Sequence, residues 1–575
     1  MTLEPFSTIA EMFLQVTSRE APDLMQSKRD GVWLPLSARE VRRRVARLSA
    51  LLLKQGLERG DRVAILSENS PEWAIADYAC TMAGLVVVPI YPTLTAEQTH
   101  YILEDSGARA AFVSSAEQAK KTGSVRVIEL STIAGLCGQE PLTAEEEREL
   151  VEHCSTIRAG DLFSILYTSG TTGQPKGVML SHRNLASNIQ ASRRLVHPGD
   201  VALSFLPLSH IFERMADYTY LHEGASIAYV AGIEDVPSAL LEVRPTVMCA
   251  VPRFFEKLYD RVVQTVKEAG GTREWMFWWA FGVGKRRLQY TLNDRPVPVA
   301  LAVQYLAADK LVFSVMRHRL GGRLRIIVSG SAPLARELAE FFLACGIILL
   351  EGYGLTETSP VLCANVPGAI RIGTVGRAVP NVELKIAGDG EILARGPNIM
   401  MGYYRRPEET AEAIEDGWFH TGDVGEIDAD GYLTITDRKK DLMKTAGGKF
   451  IAPQPIENKL KSNPYISNAV VIGDRRKFVS ALIVPNLDRL AAYARAKGLE
   501  VTDPAKLMRH PMAVEFIQRQ VDEATSYLAH FEKIKKIVLL EHDFSIAGGT
   551  LTPTLKARRE AITSQYQEQI DEIYA

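Results

Sequence analysis

Over the first 160 residues, short apolar runs alternate with helix-length segments. Residues 61–66, 85–90 and 108–113 read as strands, and residues 71–82 and 95–105 as helices. Pro71 suits a first helical turn, where a missing N–H costs no intrahelical bond. This βαβα order predicts a mostly parallel sheet covered by helices. The alternation resumes with strands at 247–251 and 324–328. Past Pro380 the texture changes to short strands at 383–386, 390–394 and 432–436. The turn Gly388-Asp-Gly390 is a hairpin signal, so a small antiparallel subdomain is expected. After Asp437 comes a compact tail, with strands at 468–472 and 479–484 and then charged helices. The expected fold is α/β. A large N-terminal domain (1–437) of mostly parallel, helix-covered sheets carries the antiparallel subdomain, and a small mobile α+β C-terminal domain (438–575) follows.

One loop interrupts this pattern with dense polar chemistry: Tyr167-Thr-Ser-Gly-Thr-Thr-Gly-Gln-Pro-Lys-Gly-Val-Met-Leu-Ser-His182. It follows an apolar run, 162–167, that reads as a buried strand. Glycines let backbone N–H groups approach an anion, hydroxyls add donors, and a lysine adds a point charge suited to phosphate. Thr168, Ser169, Gly170, Thr171, Thr172, Gly173 and Lys176 are therefore candidate phosphate ligands. A P-loop would end in Gly-Lys-Ser/Thr where a helix opens. Here Pro175 precedes Lys176, Gly177 follows it, and 178–180 reads as another strand. A mobile hairpin loop is expected instead.

Composition narrows the class. With 575 residues the chain exceeds one core. Hydrophobic content of 46% and charged content of 23% are ordinary for a globular protein, and a net charge of −3 favours no nucleic-acid partner. The six cysteines show no C-x-x-C pairing and read as reduced, mostly buried thiols of a cytosolic protein. No basic-then-apolar run opens the chain, so no signal peptide is expected. Runs such as 85–90 are too short to span a bilayer.

The loop resembles that of the AMP-forming acyl-adenylate superfamily of acyl-CoA synthetases, adenylation domains and luciferases. Four further motifs follow in the family's order: Ser329-Gly-Ser-Ala-Pro-Leu334, Gly352-Tyr-Gly-Leu-Thr-Glu-Thr358, Trp418-Phe-His-Thr-Gly-Asp423 and Asp437-Arg-Lys-Lys-Asp441. A sixth segment, Leu551-Thr-Pro-Thr-Leu-Lys-Ala557, lies near the C-terminus. The resemblance runs from about Ala64 to Arg559 and implies ATP with Mg²⁺, a carboxylic acid and CoA as the reacting set.

It also implies roles. Glu357, a carboxylate at a strand end, and Thr168 would serve the metal, a pairing that suits a hard cation. Thr356 would touch phosphate. Gly330, Ser331 and Ala332 would present backbone at the adenine, with Gly352, Tyr353 and Gly354 completing the nucleotide wall. Asp423, read as turn-placed, would accept the ribose hydroxyls, as carboxylates do in dinucleotide sites. Arg438 would be a second ribose and phosphate contact. His210 would border the acyl carboxylate and position it. Lys556 would stabilise charge as carboxylate and ATP meet. Lys440 matches the family's hinge, and Lys444, Gly447 and Gly448 the face used in the thiol step. His182 reads as structural.

Residues 272–320 are longer than small-acid relatives carry. Trp275, Trp278 and Trp279 share one helical face, and Lys285-Arg-Arg287 follows. An aromatic core stripe, an acyl-tunnel wall or gate, and an interfacial helix touching anionic lipid are three readings of it. This segment and Gly448-Lys-Phe-Ile-Ala-Pro-Gln-Pro-Ile-Glu457 resemble the long-chain fatty-acid branch. The expected function is a cytoplasmic AMP-forming long-chain fatty-acid–CoA ligase, with hinge rotation between its half-reactions. Left open are another carboxylic acid, transfer to a carrier protein, a non-catalytic acyl or nucleotide sensor, homodimerisation, and peripheral contact with the inner membrane surface.

Overall fold

A computed structural model describes residues 5–168, 174–446, 449–499, 503–545, 548–552 and 557–574. Ser169, Gly170, Thr171, Thr172, Gly173, Gly447, Gly448 and Lys556 lie outside the described residues. Among those described, two large sheets carry the N-terminal part. One has seven strands and one has nine. In the first, Leu162–Thr168, Val86–Ile90, Arg62–Leu66, Ala108–Val113 and Arg126–Glu129 run parallel. In the second, Val247–Ala250, Ile326–Ser329 and Ile348–Gly354 are among six parallel neighbours. Antiparallel strands close one edge of the first and both edges of the second. The alternating elements read from sequence therefore form the expected mostly parallel, helix-covered sheets, with boundaries within about two residues.

Helix Pro71–Met82 is buried along its whole length and packs against strands of both sheets. Such a helix shows no amphipathic stripe, because both faces meet apolar surface. Ser70 caps it, accepting from the Trp73 N–H. Its Asp77 pairs with Arg214 of helix Ile211–Glu223. Arg214 also donates to Ser164 (2.8 Å), on the strand that leads into the phosphate loop. One buried ion pair thus ties together the two elements that carry the loop and His210. Breaking such a pair from one side leaves a buried charge uncompensated.

Two more acids, Glu213 and Asp217, are buried one turn apart on the same helix. Burial pushes the Asp217 carboxyl up to about 7. In the unfolded chain it ionises near 3.9. Between those values the folded state holds the extra proton, so this group makes stability fall as pH rises. Asp217→Asn should flatten that decline. Melting temperatures scanned from acid to alkaline pH should separate the two proteins most above pH 7 and least near pH 4, and parallel curves would remove Asp217 as the cause.

Past Val379, Glu383–Ile386, Glu391–Arg395, Ile414–Glu415, Trp418–Ile427 and Leu433–Arg438 form the expected antiparallel sheet. Its hairpin turns at Gly390, which adopts φ of +87°. One expectation changes here. Asp423 sits inside the strand Trp418–Ile427 rather than in a turn. The Thr-Gly pair before it suggests a turn, but pairing on both sides of this strand holds it extended. The tail adds a three-stranded sheet in which Ile466–Ile472 and Val479–Pro485 are joined by Ile534–Leu539, a strand the charge-rich sequence hid. Two apolar clusters of its own pack this part.

Residues 271–318 form helices Gly271–Thr291, Val299–Ala308 and Ser314–His318, the last two joined by a π-helical turn. Phe277, Ala280, Val283, Gly284 and Leu288 make the buried face of the first, while Trp275 is 68% exposed. Trp275 and Trp278 therefore lie outside the core stripe, and only Trp279 packs, partly buried, against it. The chain 299–318 is one continuous helix, long and apolar enough by length and composition to cross a membrane. Counting uninterrupted apolar runs missed it, because Gln304, Asp309, Lys310 and Ser314 break the runs without breaking the helix.

Candidate active site

The parallel strands of the nine-stranded sheet end at a cleft of about 2180 Å³. Such sheets offer their binding crevice at the carboxyl ends of the strands, because the loops there are free to diverge. Thr168, Lys176, His210, Gly330, Ser331, Ala332, Gly352, Tyr353, Gly354, Thr356, Glu357, Asp423, Arg438 and Lys440 all line it. These residues span some 270 positions of sequence, and folding brings them into one space. Lys444 is not among the residues that line it. It sits on the short tail strand Met443–Lys444, its N–H donating to Asp474 (3.1 Å).

Two glycines matter through close approach. A Cβ at Gly330 would lie 2.8 Å from the Phe212 ring. At Gly354 it would meet the Pro360 carbonyl at 1.7 Å. Both positions hold backbone against the cleft where any side chain would collide.

One end of the cleft is built on a cross-strand pair. Asp423 stands opposite Arg438 in register, with Nε 3.1 Å from Oδ1. The Tyr353 hydroxyl donates to Asp423 Oδ2 at 2.6 Å. Asp423 is 5% exposed, so its carboxylate is oriented from two sides before any ligand arrives. Burial, with the Asp423 charge behind it, raises the Tyr353 hydroxyl well above the usual phenol range and keeps it a donor.

Elsewhere in the cleft, Thr168 and Lys176 face each other across the hairpin pair Leu162–Thr168 and Lys176–Ser181. Strand Gly402–Tyr403 adds to its edge, Tyr403 opposite Val178. That places the Tyr403 ring 5.2 Å from Lys176 Nζ and its hydroxyl 3.1 Å from Glu357 Oε1. Lys176 also lies 3.4 Å from Glu409. Tyr403 and Glu409 were invisible to sequence reading, because only strand addition and a following helix turn them toward the loop. Glu351 was missed as well. It lines the cleft one residue before Gly352, and burial pushes its carboxyl up to about 8.

His210 caps helix Ile211–Glu223, its Nδ1 accepting the Phe212 N–H at 3.2 Å. An accepting Nδ1 carries no proton, so Nε2 is the donor of the neutral ring. That geometry suits holding a carboxylate in place. His182 is buried and accepts from the Ile9 N–H (3.2 Å), and burial lowers its imidazolium to about 4, a structural residue as expected.

The cleft continues between the two lobes, where Gln454, Asn458, Phe544, Ala557 and Arg558 of the tail border it. Lys439 is anchored to the antiparallel sheet by Glu391 (2.9 Å) and Asp389 (2.6 Å), and its N–H by the Gly422 carbonyl (2.8 Å). Lys440 is exposed and follows directly. Asp437, raised to about 6 by burial, accepts from the Gln454 N–H at the start of tail helix Pro453–Lys461 (3.2 Å). No residue of 272–320 is among those that line the cleft.

Residues 17–404 match the AMP-binding enzyme family, and residues 440–575 the C-terminal domain of AMP-binding enzymes. A long-chain-fatty-acid–CoA ligase of Mycobacterium bovis is 36% identical, over 97% of this chain and 95% of that protein. Long-chain-fatty-acid–CoA ligase 1 of Homo sapiens is 31% identical over 97% and 85%. ATP-bound MatB from Rhodopseudomonas palustris superposes with a TM-score of 0.67 at 25% identity, over 98% and 100% of the two chains. The adenylation domain of a carboxylate reductase from Mycobacterium chelonae has the same fold, with a TM-score of 0.76. With a cleft between a large and a small lobe, and likeness along nearly its whole length, the chain belongs to the AMP-binding enzyme family.

Proposed function

We propose that the protein is an AMP-forming long-chain fatty-acid–CoA ligase. The observation that carries the substrate class is the apolar continuation of the cleft. From Phe212 to Tyr220 the helix lines it with Met215, Ala216 and Thr219, facing Val196, Val247 and Cys249. At 1.5 Å per residue that is about 12 Å of path, leading away from His210 and suited to an alkyl chain. The relatives from Mycobacterium bovis and Homo sapiens are long-chain-fatty-acid–CoA ligases, which supports the same class of acid here.

In the first step a fatty carboxylate oxygen attacks the α-phosphorus of ATP. The acyl–phosphate bond forms, and pyrophosphate leaves with the former anhydride electrons. Two anions must approach, so cationic and donor groups that strengthen as charge shifts lower the barrier. Lys176, Thr356 and the loop hydroxyls would supply them, with Lys556 from the tail. His210 would hold the carboxylate, and Asp423 and Arg438 the ribose. Glu357 and Thr168 form a sparse set of hard oxygens. That fits Mg²⁺, which keeps several waters and shares the rest of its shell with substrate phosphates. It would neutralise phosphate charge there. In the second step the CoA sulfur attacks the acyl carbonyl, AMP leaves with the bond electrons, and the thiol proton passes to solvent. Rotation about Lys440 would exchange the Lys556 face for that of Lys444, Gly447 and Gly448, a known means of separating steps. A cytoplasmic setting fits the six buried, unpaired thiols.

The test is CoA-dependent AMP release from ATP across a series of straight-chain acids, with palmitate expected to be far better than acetate. Ala216→Trp should shorten the preferred chain. Each excluded methylene costs about 0.8 kcal/mol, roughly fourfold in kcat/KM, so long acids should lose most and short ones little. A uniform loss across the series would place the chain elsewhere.

A further inference from the structure

We propose that the outer face of the helical stretch 299–318 docks on an anionic lipid surface. Its inner side is packed: Leu301, Ala308, Val312, Phe313 and Met316 are buried. Its outer side is apolar and open. Val299, Val303, Leu306, Leu311 and Val315 are between 54% and 80% exposed. The spacing explains how they stay in line. Steps of four, three and four residues follow a helical face, whereas the five-residue step from Leu306 to Leu311 would rotate off it. The π-helical turn Asp309–Phe313 accommodates one extra residue and returns the stripe to the same side. An exposed apolar stripe of this length on a protein surface marks an interaction face.

Charge selects the partner. Residues 271–323 carry nine Lys and Arg against three Asp and Glu, in a chain whose net charge is −3. Three of the cations are engaged within the segment, Arg317 with Asp309 (2.7 Å), Arg286 with Gln304 (2.9 Å) and Arg287 on the Tyr305 ring (4.2 Å). Arg295, Lys310, Arg319 and Arg323 are exposed around the stripe. Trp275, 68% exposed, opens the preceding helix. Apolar side chains beside cations and tryptophan suit the boundary between acyl chains and anionic headgroups. The stretch lies along the surface instead of crossing the bilayer. Crossing would bury the Asp309–Arg317 pair in hydrocarbon and strip the inner face from the core it packs against.

This goes beyond the ligase reading, and its vesicle partition is measured without substrate, so failure there leaves that reading standing. The full chain is sedimented with vesicles of phosphatidylcholine, alone or doped with phosphatidylglycerol. Wild type should partition at least tenfold more strongly onto the doped vesicles, and rising salt should weaken it. The double variant Val303→Gln/Leu306→Gln should lose at least tenfold in that partition, while ligation of a short soluble acid in detergent-free buffer is unchanged. Equal partition of wild type and variant, or none by either, overturns the proposal. So does binding that resists alkaline carbonate, the mark of a spanning helix. A dimer in sedimentation velocity that the double variant abolishes, without vesicle binding, would assign the face to a second copy.

Discussion

Lys556→Ala will lower the rate of acyl-adenylate formation by about a thousandfold and leave acyl transfer from pre-made acyl-AMP to CoA nearly unchanged. A lysine about 4 Å from the reacting anions is worth about 4 kcal/mol at an effective dielectric near 20. Each 1.36 kcal/mol is tenfold in rate. Lys556 lies outside the described residues, but those flanking it border the cleft: Thr552 and Ala557 both line it, and Leu551 pairs with Ala557 across an antiparallel bridge. The asymmetry carries the claim. The first half-reaction brings anions together, and the second releases AMP from an anhydride that is already reactive, so one cation need not serve both. Pyrophosphate release measures the first, and acyl-CoA formed from synthetic acyl-AMP the second. Equal losses in both would mean that Lys556 supports folding or general binding.

Asp423→Ala will lower kcat/KM for ATP by about a hundredfold or more and alter the KM for the fatty acid far less. Hydrogen bonds to a charged group are worth about 1.5–3 kcal/mol each, and a ribose offers two. The carboxylate is held by the Tyr353 hydroxyl and the Arg438 guanidinium, so it needs no reorganisation when the nucleotide arrives. Those same contacts mean that the substitution also costs some stability, because Arg438 loses its counter-charge. Asp423→Asn separates the effects. It keeps the shape and one acceptor but, like Ala, removes the counter-charge of Arg438, so the two variants should share that stability loss while ATP affinity falls only to an intermediate level for Asn. If KM rises alike for ATP and acid, the loss is one of lobe geometry, and the ribose role fails.

The two effects differ in how they could be foreseen. Lys556, Glu357 and Asp423 belong to short motifs whose resemblance to a known family implies their roles, so a linear string suffices to nominate them. Tyr403 sits in an unremarkable Gly-Tyr-Tyr run, and it reaches Lys176 and Glu357 only because its strand adds to the hairpin edge. Glu351 reads as one more residue of an apolar strand, and its raised carboxyl exists only once the cleft wall closes around it.

Local periodicity was enough for the sheet order's ingredients. Apolar runs of strand length and proline- or threonine-capped helices are short-range physics, and they reappear within about two residues. The loop's glycines, hydroxyls and lysine likewise announce phosphate without a fold. Segments whose character comes from what covers them were decided by packing at long range. Asp423 is extended because strands flank it on both sides. The tryptophan helix hides Phe277 and Ala280 and leaves Trp275 in solvent. The apolar stripe of 299–318 stays open because no described element covers it. Side-chain alternation along a chain says which faces differ, and only the neighbours that arrive from distant sequence determine which of those faces meets water.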